Sequence, residues 1–78
     1  MKYYFHLHDD VATFDREGRE LSGLEAALGH ATVEARIMAA DWVRRGALNL
    51  SHRIEITDET GVLVGIIAFK DVINITSV

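Results

Sequence analysis

From Ser22 to Gly46 the apolar residues return at alternating steps of four and three: Leu24, Leu28, Ala31, Ala35, Met38 and Trp42. That spacing sets them on one stripe of an α-helix, which Ala27 and Ile37 widen. Glu25, Glu34, Arg36, Asp41, Arg44 and Arg45 fall mostly away from the stripe, so one face is predicted dry and the other wet. Ser22 with Glu25 three residues on reads as a capping box at the start. At the far end Arg44 and Arg45 complement the helix dipole, and Gly46 can close the last turn in the left-handed conformation. Gly23 and Gly29 weaken the helix by roughly 1 kcal/mol each relative to alanine.

Elsewhere the period is two. In Lys2 to His8 the residues Tyr3, Phe5 and Leu7 alternate with Tyr4, His6 and His8, a strand with the first set predicted under the helix. Asp9 and Asp10 mark a turn. Val11 to Asp15 reads as a short extended return, and Gly18 as a second turn within Arg16 to Glu20. Leu21 is placed to staple onto the first helical turn. Past Gly46, Leu48 and Leu50 are expected to pack the connection onto the core. His52, Ile54 and Ile56 then alternate with Arg53, Glu55 and Thr57, as in a sheet with one wet face. Asp58 to Gly61 is a hairpin connection. Val62 to Phe69 is apolar on both sides, and the β-branched tail from Val72 to Val78 fits a last short strand, a single turn or an arm.

The predicted architecture is α+β with two layers: one domain over residues 1–78, order β-(β)-α-β-β, and a three- or four-stranded, mainly antiparallel sheet with the 22–46 helix across one face. Val62 to Phe69, the most apolar strand, is placed centrally between the first strand and Ser51 to Thr57. A mixed sheet with the first strand beside the Ser51 strand is the alternative. The helix covers only one face, yet Tyr4, Leu63, Ile67 and Phe69 are assigned to the other. Such side chains gain roughly 1.5–3 kcal/mol each on burial, so a homodimer through that face, or along an edge strand, is expected.

Composition narrows the function classes. Seventy-eight residues build a core of marginal size, and there is neither cysteine nor proline, so no disulfide or thiolate metal site can staple it. A net charge of −4 and a pI near 5.4 argue against a general polyanion binder. No apolar run approaches the roughly 20 residues of a membrane span and no signal peptide is apparent, so a soluble cytoplasmic protein without membrane partners is expected.

Candidate chemistry is sparse. His6 and His8 project from one strand face with Asp9 and Asp10 next to them, two nitrogens and two carboxylates in reach of a divalent ion. Two histidines fall short of the three or four ligands a stable site uses, so sheet-face or interface residues are the simpler reading and no metal is assigned. The carboxylates Asp9, Asp10, Asp15 and Glu17 do not follow a calcium loop, and no glycine spacing matches a phosphate-binding loop. Ser22 and Ser51 have structural roles, which leaves no catalytic constellation. No enzyme activity and no cofactor are therefore expected. Arg44, Arg45 and Arg53, with His52, form a candidate basic patch.

The segments Tyr4-Phe5-His6-Leu7-His8-Asp9, Asp15 to Leu21, Leu24 to Ala27, Ile54 to Gly61 and Phe69-Lys70-Asp71 together resemble a family of short, mostly alphaproteobacterial proteins catalogued as a domain of unknown function. The likeness spans nearly the whole chain. Asp10 departs from it, where glycine is expected. The family has no established activity. It singles out His6, His8, Asp9, Asp15 and Gly18 for testing.

Three functions follow. The first is a non-catalytic, self-associating interaction module of the bacterial cytoplasm, with Tyr4, His6, His8, Asp9 and Asp15 as a ligand or interface patch and Leu63, Ile67 and Phe69 as the dimer face. The second is a nucleic-acid-associated regulator using Arg44, Arg45 and Arg53. The third is a metal- or ligand-binding protein using His6 and His8.

Overall fold

A computed structural model describes residues 1–77. In chain order the elements are β1 (Lys2–His8), β2 (Ala12–Thr13), β3 (Arg19–Glu20), α1 (Leu24–Arg44), β4 (Arg53–Thr57), β5 (Leu63–Ala68) and α2 (Phe69–Val72). The α+β plan is as expected, with five strands in place of three or four because the polar run Arg16 to Glu20 contributes β3. All strand pairs are antiparallel, in the order β2-β1-β4-β5, with β3 also pairing β1.

The strand order overturns the first expected arrangement and half of the alternative, whose placing of the first strand beside the Ser51 strand holds while its mixed pairing does not. The centre goes to β4, not to β5, and β1 lies beside β4 antiparallel to it, so no mixed sheet forms. His52, Ile54 and Ile56 are at most 5% exposed beneath the helix. A strand with every second side chain dry and the others polar suits the middle of a sheet that is covered on one side only. Apolarity on both sides gives β5 no such advantage, because no second layer covers the other face.

A bulge then resets the faces of β5. Ile56 opposes Gly65 while Thr57 opposes Leu63, which leaves Val64 as an extra residue. Ile67, opposite Ile54, turns toward the helix, whereas Ile66, opposite Glu55, turns away with Leu63. Phe69 leaves the strand altogether and is fully buried at the start of α2. Of the expected dimer face, only Leu63 lies on the uncovered side, and Ile66 joins it.

Alanine makes the main helix contact. Ala27, Ala31, Ala35 and Ala39 are at most 3% exposed, a ridge of four-residue steps that lets α1 lie close to the sheet. Leu28, Met38 and Trp42 flank the ridge. Ile37 does not widen it: two residues past Ala35, about 200° around the helix, it is 59% exposed. The capping box is also absent. Gly23 is the N-cap and Glu25 the second helical residue, so Ser22 stands one position too early to cap the turn. The C-terminus follows expectation. Gly46, at φ +86°, donates to the Val43 carbonyl (2.9 Å) and Ala47 to that of Trp42 (3.2 Å), the paired bonds of a Schellman end.

Leu48 and Leu50 are each 36% exposed rather than packed inward. The connection holds itself instead, with Asn49 Oδ1 accepting from the Ser51 amide (3.0 Å) and hydroxyl (2.6 Å). The described part of the tail forms neither a strand nor a turn beyond Val72; the helical turn α2 lies just ahead of it, tied by Phe69 N–H to the His52 carbonyl (2.8 Å), by Lys70 N–H to that of Leu50 (3.1 Å), and by Arg36 Nε to that of Val72 (3.1 Å). Residues 73–77 have no regular structure, and Val78 lies outside the described residues.

Ala35→Leu should cost about 1–3 kcal/mol in urea unfolding followed by Trp42 fluorescence, because the ridge has no room for three more carbons. Ile37→Lys should stay within about 0.5 kcal/mol of the parent. The reverse ranking would mean that α1 presents a different face.

Candidate binding face

One helix leaves one sheet face without a covering layer. On it lie Tyr4, His6 and His8 from β1, Arg53, Glu55 and Thr57 from β4, and Leu63 and Ile66 from β5, in the registers Tyr4↔Thr57↔Leu63 and His6↔Glu55↔Ile66. Alternation in β1 and β4 fixes these positions, and the opposite set faces α1. The ring of Tyr4 is parallel to that of His6 at 6.5 Å. Phe14, from the loop after β2, lies 5.6 Å from the His6 ring and 6.1 Å from that of His8, and is 63% exposed.

The histidines are held by their neighbours. The Asp15 amide points at His6 Nδ1 (3.1 Å), which makes that nitrogen an acceptor. The neutral ring then carries its proton on Nε2 and donates it to Thr57 Oγ1 at 3.0 Å. His8 Nε2 sits 3.3 Å from Glu55 Oε1, without hydrogen-bond alignment. The other oxygen of Glu55 accepts from Arg53 Nε at 2.8 Å. A row of His8, Glu55 and Arg53 thus crosses the face, with apolar residues on both sides.

Asp15 has a structural task. Between its pairings with β3 and β2 the outer edge of β1 has a gap, and Asp15 Oδ2 fills it by accepting the Phe5 amide (3.1 Å). Oδ1 accepts from Glu17 and Gly18 (both 3.1 Å). Partial burial raises the carboxyl's proton affinity, but the three backbone donors outweigh it, and the group ionises below its ordinary 3.8. Gly18 completes the turn at φ +70°, where a β-carbon would also come within 2.9 Å of Tyr4. Asp9 accepts from the Val11 amide (3.1 Å), so it builds a turn rather than joining the histidines. Asp10 reaches the other layer: its Oδ1 lies 3.3 Å from Nε2 of His52, which is buried against the rings of Trp42 and Phe69.

The expected basic patch does not assemble. Arg44 and Arg45 both approach Asp41 at the exposed end of α1, and Arg45 lies 4.8 Å over the Trp42 ring. Arg53 is on the far side of the sheet with Glu55, because it alternates with Ile54. Among the described residues no group of three or more His, Asp or Glu could hold a metal ion, and no helix is long and apolar enough to cross a membrane.

The structure also gathers residues that no local pattern connects. At the β1 edge, between α1 and the turn at Asp15 to Gly18, a cleft of about 260 Å³ brings together Arg19, His30 and Glu34. Only the spacing of His30, Glu34 and Met38 at steps of four hints in sequence that they share a helix flank.

A family model described as Domain of unknown function (DUF6894) matches residues 2–70, from the start of β1 into α2. The chain belongs to this family. Neither the curated proteins nor the solved structures give a match. The DUF6894 match includes every residue of the uncovered face and of the cleft named above.

Asp15→Asn should lower stability by about 1–2 kcal/mol at neutral pH, since the weakened acceptor serves three amides. A depressed carboxyl stabilises the fold fully above its ordinary 3.8 and loses that contribution as pH falls through the lower folded value. The gap between parent and variant should therefore close in acid. Urea midpoints across a pH series check this, and a gap that persists or widens in acid contradicts it.

Proposed function

We propose that the chain is a non-catalytic module that self-associates as a homodimer through the uncovered sheet face and the neighbouring edge of β5. The carrying observation is that Leu63 (49% exposed) and Ile66 (48%) stand on a face with no second layer, on a strand whose outer edge has no partner among the described residues. β5 reads Leu-Val-Gly-Ile-Ile-Ala, with no charge or proline to blunt edge pairing. Two such edges meeting antiparallel about a twofold axis extend the sheet and bring both pairs of Leu63 and Ile66 onto a shared face. Each buried side chain would contribute roughly 1.5–3 kcal/mol. The His8, Glu55 and Arg53 row adds polar groups that disfavour a slipped register. A cytoplasmic setting accompanies the proposal, consistent with a chain free of cysteine.

Light scattering over a dilution series tests it on the parent chain, Leu63→Glu, Ile66→Glu and Ile37→Lys. The expected result is a dimer that both β5 substitutions convert to a folded monomer, verified by circular dichroism, while Ile37→Lys leaves it intact. A parent that is monomeric at all concentrations, or a dimer lost only with Ile37→Lys, overturns the proposal.

A further inference from the structure

The cleft at the β1 edge lies at the opposite side of the sheet from β5, so what it binds is independent of self-association. Its floor is apolar, made by Phe5 and Leu7 of β1, Ile54 of β4 and Met38 of α1. Its mouth carries charge of both signs. Arg19 comes from β3, and Glu34 and His30 from one flank of α1 a single turn apart. Among the described residues neither Arg19 nor Glu34 has an ion-pair partner. Asp15 also borders the cleft, but its carboxylate already serves three backbone amides. The His30 ring is fixed edge-on against Phe5, with centroids 4.6 Å apart.

We infer that this cleft binds a small zwitterion with an apolar body, of the class of the aliphatic α-amino acids. Charge and size select that class. A simple anion would meet the Glu34 carboxylate, and a simple cation the Arg19 guanidinium. A ligand bearing both an ammonium and a carboxylate satisfies both, with Arg19 able to hold the carboxylate through two parallel bonds. The cleft, about 260 Å³ and open to solvent on one side, has room for an apolar side chain of the size of leucine's or methionine's. The floor then takes the side chain, in the usual division of an apolar pocket with a few convergent polar groups.

The test is a nuclear magnetic resonance titration of the full chain with L-leucine, with 4-methylpentanoate (no ammonium) and isopentylamine (no carboxylate) as matched probes. L-leucine should shift the amide signals of Gly18, Arg19, His30 and Glu34 saturably. Each one-charge probe should bind at least about tenfold more weakly. Glu34→Gln and Arg19→Gln, both at accessible positions, should each weaken L-leucine by a similar factor while the spectrum stays dispersed. No saturable shift up to about 10 mM, or a one-charge probe binding as tightly as L-leucine, overturns the assignment. Since the readout is local to the β1 edge, it stands whether the chain is a monomer or a dimer.

Discussion

A single helix can dry only one face of a sheet, and that constraint governs the rest of this structure. The alanine ridge of α1 settles close over Ile54 and Ile56, which are at most 1% exposed, and β4 becomes the central strand because its alternation matches a sheet wet on one side. Apolar side chains that face the other way have no second layer to cover them. Leu63, Ile66 and Phe14 remain exposed for this reason, and the same geometry sets a row of histidine, glutamate and arginine among them.

The opposite edge of the sheet solves a different problem. β1 is longer than either strand that pairs its outer edge, and β2 and β3 meet it only at its two ends. A buried, unpaired amide costs about as much as a lost hydrogen bond, so the gap between them needs a partner. Asp15 supplies one with its carboxylate, while its own amide fixes the His6 ring. One residue thereby couples the strand edge to the tautomer of a histidine on the uncovered face. The turn it holds also forms one wall of the cleft, so the two candidate surfaces share this support without sharing a face.

Much of the fold was legible locally. The helix, the first strand, the Asp58 to Gly61 hairpin and the Gly46 end all follow from periods of 3.6 and 2.0 and from turn chemistry within a few residues. Total apolarity points to β5 as the central strand, but it ignores how many layers exist to cover a strand. Strict alternation puts Leu63 and Ile67 on one face of β5, and a bulge at Val64 breaks it, with Gly65 beside it as the only local mark. Proximity in sequence groups Arg53 with Arg44 and Arg45, whereas Arg53 and Ile54 necessarily point to opposite sides of the sheet. Alternation alone places His6 and His8 on one face, but that the Asp15 carboxylate fills the β1 edge while its amide meets His6 follows only from the β1 gap.

The sequence by itself determined the long helix and the strands β1, β4 and β5, which side of β1 and β4 is dry, and that one layer of helix is available, but not β3 or α2. Those properties depend on backbone geometry and side-chain type over short spans. Tertiary structure alone decided that β4 is central, that Ile66 instead of Ile67 stands with Leu63, that Phe69 is buried, and that Arg19, His30 and Glu34 border one cleft. Each depends on how distant segments share a limited covered surface, a competition that no local pattern encodes.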